Sequence, residues 1–197
     1  MALPKDAPQM TEAEYLEFER HSDLRHEYIA GGIYAMTGAS RWHNIISSNI
    51  NTQFNLQLQN RPCEVYQSDM RVKVKTAQLY TYPDVVVVYD PPQFSDDEFD
   101  TLLNPTVLIK VLSPSTANYD RGKKLQEYQQ ITTVQEYLLV AQDEARIERY
   151  LRQETSRDWL YRDVRGLDAK LELPSIQCTL ALADVYRKVS FEPEGGI

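Results

Sequence analysis

The sequence predicts a single α/β domain in which a mixed β-sheet is flanked by helices. Four consecutive valines, 85–88, follow Tyr82-Pro83-Asp84, and such a β-branched run is typical of a strand covered on both faces. A second apolar run, 107–112, predicts a neighbouring core strand. Apolar residues at helical spacing between 42 and 59 predict a long helix that covers the sheet. Helices and strands that alternate along one chain indicate the mixed class.

The first third of the chain supplies a short helix, a hairpin and the long helix. Thr11-Glu12-Ala13-Glu14 has the pattern of a capping box, which marks a helix start. Two β-prone runs, 26–30 and 33–36, flank Gly31-Gly32, and we expect a hairpin there because both glycines can take positive φ. The stripe of the long helix comprises Ile45, Ile46, Asn49, Ile50, Phe54 and Leu58.

The remaining elements follow from the same periodicities. Residues 64–74 alternate between polar and apolar, which predicts one amphipathic strand. The acidic segment 94–100 is expected to be a solvated loop. Further elements are predicted as a helix at 120–130, strands at 136–140 and 147–151, a final strand near 159–161 and a helical turn near 182–186.

Composition restricts the class of protein. The chain has 197 residues, 42% hydrophobic and 25% charged, with a net charge of −8, so nucleic acid could be held only by a local basic patch. Cys63 and Cys178 have no companion at metal-ligand spacing and are expected to be free thiols. No apolar stretch reaches the roughly 18 residues of a membrane span, and residues 1–6 lack the apolar core of a secretory signal. We therefore expect a cytoplasmic protein without membrane contact.

Asp84 and Lys110 are charged residues placed in or beside apolar strands. Lys110 shares its strand face with Leu108 and Leu112, and the opposite face is apolar as well. An unpaired buried ammonium is costly, so a nearby carboxylate is expected, and Asp84 is the nearest candidate. The pattern is equally consistent with a structural salt bridge, with a lysine that extends to the surface at the strand end, and with a catalytic pair.

Two other groups of cations could contact phosphate. Lys124 lies at the start of the helix that follows the Lys110 strand, where a helix is electropositive. Its neighbour Lys123 is expected to be solvated. Arg71, Lys73 and Lys75 alternate along a strand, which indicates either the wall of a basic groove or a solvated face.

Several separated motifs resemble one known family. They are Tyr82-Pro83-Asp84-Val85-Val86-Val87, Val111-Leu112-Ser113-Pro114-Ser115-Thr116, Tyr119-Asp120-Arg121-Gly122, Lys124, Tyr128 and Glu136-Tyr137. In this order they resemble the Uma-two family of putative restriction endonuclease domains, which have a PD-(D/E)XK nuclease core. The resemblance also includes Glu27 with its glycine turn and His43, and it extends over 11–191, which leaves 1–10 and 192–197 as tails.

The resemblance implies a restriction-endonuclease-like fold and a phosphodiesterase that uses Mg²⁺ or Mn²⁺ on DNA. Asp84 and Glu27 would be metal ligands, His43 a supporting polar residue, and Lys124 the motif lysine moved onto the helix. Magnesium prefers oxygen ligands, and a bound cation with a lysine would stabilise charge on the phosphoryl group. Related folds often pair, so a homodimer is expected.

One departure from the family pattern concerns the metal. The family carries glutamate just before Val-Leu-Ser-Pro-Ser-Thr, whereas this chain carries Lys110. A cation at ~4 Å opposes a divalent metal by several kcal/mol even at an effective dielectric near 20. Asp69 or Asp120 could compensate, or Lys110 could replace the metal by pairing with Asp84. The chain is thus expected to be a DNA endonuclease or a degenerate descendant without a cofactor; the alternative is a non-catalytic nucleic-acid-binding or protein-interaction module.

Overall fold

The structure is a computed structural model that describes residues 9–36, 38–156 and 158–191. The predicted tail 192–197 and most of the tail 1–10 lie outside these ranges. The helices are α1 Glu12–His21, α2 Arg41–Leu58, α3 Ala117–Tyr119, α4 Leu125–Tyr128 and α5 Leu182–Val185, with a 3₁₀ turn Lys75–Ala77 and a π-helical turn Asp120–Lys124. The strands are β1 His26–Ile29, β2 Gly32–Ala35, β3 Glu64–Gln67, β4 Arg71–Val74, β5 Leu79–Thr81, β6 Val85–Val88, β7 Thr101–Leu102, β8 Val107–Val111, β9 Glu136–Val140, β10 Arg146–Arg152, β11 Trp159–Arg165, β12 Lys170–Leu173 and β13 Cys178–Ala181.

The valine strand β6 lies inside a mixed six-stranded sheet with the order β11-β10-β9-β8-β6-β3. Its pairs with β3 and β8 are antiparallel, and β8 pairs with β9 in parallel. Val85 and Val87 belong to the core cluster beneath α2, whereas Val86 and Val88 belong to the cluster on the other face. All four valines are fully buried, as a strand covered on both faces requires. The predicted mixed α/β domain with helices against its sheet is confirmed.

The second face of this sheet is covered by a five-stranded sheet, β2-β1-β5-β4-β7, and by the helical segment from α3 to α4. Val72 and Val74 of β4 and Leu79 of β5 share a core cluster with Leu108 of β8 and Tyr128 of α4. On the opposite side, Ile46, Ile50, Phe54 and Leu58 of α2 are buried. Four of the six residues of the predicted stripe are thus confirmed as core packing, whereas Ile45 and Asn49 are half-buried.

The hairpin β1–β2 forms at the predicted place, with Ile29 opposite Gly32. Positive φ occurs at Ala30 (46°) and Gly31 (96°), as a tight hairpin turn requires. Position 32 requires glycine for a different reason, because a Cβ there would lie 2.7 Å from the hydroxyl of Tyr34. The two glycines thus serve a turn and a close approach respectively.

Residues 64–74 do not form the single strand that their alternation predicted. A turn closed by the Met70 N–H on the Gln67 carbonyl, 3.0 Å, separates β3 from β4. β3 pairs with β6 in the six-stranded sheet and β4 pairs with β5 in the other. A period of two continues through the turn, so periodicity alone could not reveal the change of sheet.

The acidic segment 94–100 is docked and not simply solvated. The Arg20 guanidinium on α1 lies 2.8 Å from Asp96 and 2.9 Å from Asp100. Arg71 of β4 lies 2.6 Å from the same Asp100 carboxylate. Burial would raise the pKa of Asp100, but these two guanidiniums hold it well below its ordinary value. The loop is therefore fixed to both α1 and β4.

The C-terminal part adds a pair of strands that the sequence did not predict. β11 was expected to be the last strand, but β12 and β13 follow it as an antiparallel pair. Their inward side chains, among them Leu171 and Leu180, join the core cluster under α2. Within the described residues, no helix is long and apolar enough to cross a membrane.

Candidate functional site

Asp84 and Lys110 form a buried ion pair at the head of β6. The Asp84 N–H donates to the Ile109 carbonyl at 2.9 Å, which aligns the residue beside β8. The Lys110 ammonium donates to Asp84 Oδ1 and to the Tyr82 carbonyl, both at 3.2 Å. The backbone N–H of Val111 donates to Asp84 Oδ2 at 2.6 Å. Both carboxylate oxygens of Asp84 are therefore used inside the protein.

The ion pair shifts both of its members toward their charged forms. Burial would raise the pKa of Asp84, but Lys110, His43 and the Val111 N–H hold it below the ordinary value. Burial would lower the pKa of Lys110, but the carboxylates of Asp84, Glu27 and Asp120 raise it instead. The salt bridge is a charged pair, as the placement of a lysine between apolar residues required.

His43 contacts the same carboxylate from the first turn of α2. Ser40 caps that helix by accepting the His43 N–H at 3.1 Å. The ring atom Nε2 of His43 lies 3.3 Å from Asp84 Oδ1, and its side chain is 16% exposed. Asp84 Oδ1 is thus shared between an imidazole and an ammonium.

Glu27 and Lys124 form a second ion pair beside the first. The Lys124 ammonium, which lies in the π-helical turn, contacts Glu27 Oε1 on β1. The Thr81 hydroxyl donates to the same oxygen at 2.5 Å and lies 3.2 Å from the Tyr128 hydroxyl. Burial would raise the pKa of Glu27, but Lys124 and Lys110 hold it below the ordinary value. The structure thus brings together the five side chains proposed from the sequence; their catalytic and metal-binding roles stay predictions.

Two further carboxylates border these pairs. Asp120 is 2% exposed, and burial raises its pKa although Lys124 and Lys110 oppose this. Glu127 is 6% exposed, and burial likewise raises its pKa against Lys123 and Lys124. Asp120 Oδ2 and Glu127 Oε2 are buried without a hydrogen-bond partner among the described residues. Sequence reasoning overlooked Glu127, although its i,i+4 spacing from Lys123 was a usable signal.

The other candidate compensating acid, Asp69, does not reach the site. Its carboxylate lies 3.3 Å from the Arg25 guanidinium, and its side chain is 80% exposed. Of the two acids considered from the sequence, only Asp120 borders the buried pairs.

The predicted basic surfaces do not form as expected. Arg71 is buried against Asp100, and Lys73 lies 2.5 Å from Glu12. Lys75 is exposed but lies in the 3₁₀ turn after β4, so the three cations form neither a basic groove wall nor a solvated strand face. Lys124 is buried against Glu27 and cannot belong to a surface patch. Lys123 is exposed and lies 3.8 Å from the Glu127 carboxylate. The acids that pair with Arg71, Lys73 and Lys124 are distant in sequence, so residue spacing could not predict these contacts. Only the partner of Lys123, Glu127, lies at a spacing that could have been recognised.

The donor set does not fit a divalent cation. A metal at Asp84 would need a free carboxylate oxygen, yet both of its oxygens accept internal donors and a lysine ammonium lies 3.2 Å from one of them. In the part of the chain that the structure describes, no group of three or more His, Cys, Asp or Glu side chains could hold a metal ion. Lys110 already places one positive charge beside Asp84, and this charge opposes a divalent cation there.

A polar cleft of about 190 Å³ opens beside Asp84, between α2 and the end of β3. Its lining residues are hydroxyl- or amide-bearing apart from Asp84: Asn44, Ser47, Ser48, Gln67 and Ser68. Solvent therefore approaches Asp84 through neutral donors and acceptors, and among the described residues no cation lines this approach.

The chain is similar to the proteins of a known family. The family model described as "Putative restriction endonuclease" (Uma2) matches residues 12–183. Two uncharacterized proteins of Synechocystis sp. (strain ATCC 27184 / PCC 6803 / Kazusa) are similar to the chain. One is 38% identical over 184 residues, covering 93% of this chain and 95% of its own. The other is 36% identical over 163 residues, covering 83% and 92%.

A solved structure shares the fold. A crystal structure titled as a putative nuclease belonging to DUF820, from Anabaena variabilis ATCC 29413, superposes with a TM-score of 0.72 at 20% identity. The match covers 90% of this chain and 97% of that one. Together with the match of the family model over most of the chain, these similarities show that the protein belongs to the Uma2 putative restriction endonuclease family.

Proposed function

We propose that this protein is a non-cleaving member of its nuclease family, in which the Lys110–Asp84 ion pair takes the place of a divalent cation. The observation that carries this proposal is the 3.2 Å contact between the Lys110 ammonium and Asp84 Oδ1. A lysine at this distance both occupies the carboxylate and repels a metal. Glu27 is similarly bound by Lys124 and Thr81. The two acids expected to hold Mg²⁺ or Mn²⁺ are therefore already neutralised.

The surface charge favours a protein-interaction module over a nucleic-acid-binding one. DNA is the partner that the nuclease family suggests, but binding to its backbone requires uncompensated cations. Lys73 and Lys124 are paired with acids, and the net charge is −8. We therefore propose that the scaffold acts through contacts with protein, as a homodimer, and that DNA is at most a weak ligand.

Calorimetric titration with Mg²⁺ and Mn²⁺, together with a plasmid-nicking assay, tests the proposal. Wild type should show no heat of specific binding and no metal-dependent nicking. Lys110→Glu should bind the metal because it places a second carboxylate beside Asp84. The melting temperature of this variant should rise on addition of Mg²⁺, since a ligand that binds only the folded state stabilises it.

Lys123→Glu is the matched control, because it makes the same change of charge at a side chain that is 53% exposed. It should behave as wild type in both assays. Tight Mg²⁺ binding and plasmid cleavage by wild type would instead show that the protein is a metal-dependent endonuclease and that the proposal is wrong.

A further inference from the structure

Strand β11 leaves the six-stranded sheet with an open edge. In the described part of the chain it pairs with β10 alone, and at seven residues it is longer than β3, the four-residue strand at the opposite edge. The Gln153 N–H donates to the Asp158 carbonyl, and the Gly166 N–H donates to the Ala145 carbonyl. These two bonds identify the residues of β11 whose peptide groups bond to β10. Because bonded residues alternate in an antiparallel pair, the peptide groups of residues 159, 161, 163 and 165 point outward and can pair with another strand.

The open edge also carries apolar side chains. Leu160 is 51% exposed and Tyr161 is 46% exposed. Among the described residues they are the only exposed large hydrophobic side chains that are adjacent in sequence. A long edge strand with exposed apolar residues tends to pair with a further strand.

We infer that two copies of this protein pair antiparallel along β11, with Leu160 opposite its own counterpart on a two-fold axis. A residue of one copy then faces the residue of the other copy for which the two residue numbers sum to 320. Trp159 of each copy therefore lies opposite Tyr161 of the other. The two six-stranded sheets become one continuous sheet, which removes the open edge.

Charge complementarity favours this register over its neighbours. The register places Asp158 opposite Arg162 of the other copy, so two ion pairs flank the central leucines on one face of the sheet. Both side chains are exposed, and neither forms an ion pair within the described residues. In a pairing centred on Arg162, the Arg162 guanidiniums of the two copies would face each other and repel. In a pairing centred on Tyr161, Arg162 of one copy would face the apolar Leu160 of the other. Only the Leu160-centred register matches charge with charge and apolar with apolar.

This inference rests on the homodimeric state proposed above and not on the state of the Asp84 site. A monomeric protein would leave the ion-pair proposal intact, and a metal-binding protein would leave the dimer intact. The two can therefore fail separately.

Sedimentation velocity of the full chain tests the ion pairs. Asp158→Arg and Arg162→Asp should each weaken dimerisation about tenfold or more, because like charges then face each other twice. An equimolar mixture of the two variants should dimerise again, since in the mixed dimer an arginine faces an aspartate at both contacts. A wild type that stays monomeric at every accessible concentration, or variants that dimerise as well as wild type, would overturn the inference.

Cysteine substitution reads the register directly and does not depend on the charges. In a Cys63→Ser background, Leu160→Cys should form an intermolecular disulfide fastest, because the two Leu160 positions form a non-hydrogen-bonded pair with Cα atoms about 4.5 Å apart. The Tyr161 positions would be about 8 Å apart and should crosslink slowly. Faster crosslinking of Tyr161→Cys or Arg162→Cys would exclude this register. Far-ultraviolet circular dichroism confirms that each variant is folded.

Discussion

Lys110 sets the electrostatics of the buried carboxylates around it. The side chain is 11% exposed and bonds to Asp84 while raising the charged fraction of Glu27. A buried ion pair is not by itself a source of stability, because both charges lose their hydration. Removal of one partner is costly, however, because the other charge is left buried and unpaired.

A double-mutant cycle measures this coupling. Lys110→Met should lower the free energy of unfolding by about 3 kcal/mol, because Asp84 keeps its charge without its partner. In the double variant with Asp84→Asn the loss should be smaller than the sum of the single losses, since Asn can still accept the Val111 N–H and carries no charge. Urea unfolding at neutral pH gives the three values. Additive losses would show that the two side chains are not coupled.

The pKa of Asp120 is shifted in the opposite direction to that of Asp84, and a separate prediction follows from this shift. Its folded-state pKa is raised by burial, so its ionisation destabilises the protein at pH values above the unfolded pKa of about 4. Asp120→Asn should therefore raise the melting temperature at pH 7, and this gain should shrink as the pH falls toward 4. Thermal melts across this range check it, with Asp69→Asn as an exposed control. If Asp120→Asn instead lowered the melting temperature at pH 7, ionised Asp120 would stabilise the protein and the prediction would be wrong.

At the scale of elements, the acidic loop connects α1 to β4. Arg20 and Arg71 converge on Asp100, and this arrangement fixes the loop that carries β7. The depressed pKa of Asp100 means that its contribution is present above the unfolded pKa of about 4 and is lost as the pH falls further.

Asp100→Asn should loosen this loop at neutral pH. Hydrogen exchange of residues 94–102 should speed up, because the charge-assisted bonds to both guanidiniums weaken. Asp97→Asn changes an exposed side chain of the same loop and should leave the exchange unchanged. Equal protection in wild type and Asp100→Asn would show that the ion pairs do not hold the loop.

The sequence predicted elements best where local rules decide. The capping box of α1 is present with both of its bonds, and the valine strand lies where its composition placed it. Lys110 and Asp84 pair because alternation and the cost of a buried charge restrict a lysine in a core strand. Arg71 was misassigned because its partner, Asp100, is 29 residues away in a loop that no periodicity positions. β12 and β13 were missed because, although they are as long as β6, neither contains the continuous β-branched run that marks β6 as a strand.

At the scale of the whole molecule, the net charge is −8, and surface cations such as Arg20, Lys73 and Arg146 lie against acids. Binding to duplex DNA should therefore be weak and its salt dependence shallow, because few phosphate charges are neutralised and the slope scales with their number. Fluorescence anisotropy with a labelled duplex tests this. Lys123→Ala and the distant Lys170→Ala should have equally small effects. Tight binding with a steep salt slope that Lys123→Ala abolishes would contradict this prediction.

Anomalous scattering from crystals soaked in Mn²⁺ tests the central claim most directly, since it locates the metal relative to Asp84. The replacement of a divalent cation by Lys110 predicts no manganese peak within coordination distance of Asp84 or Glu27 in wild type. It predicts a peak bridging Asp84 and the new carboxylate in Lys110→Glu. A manganese peak on Asp84 in wild type, with the Lys110 side chain displaced from it, would contradict the claim.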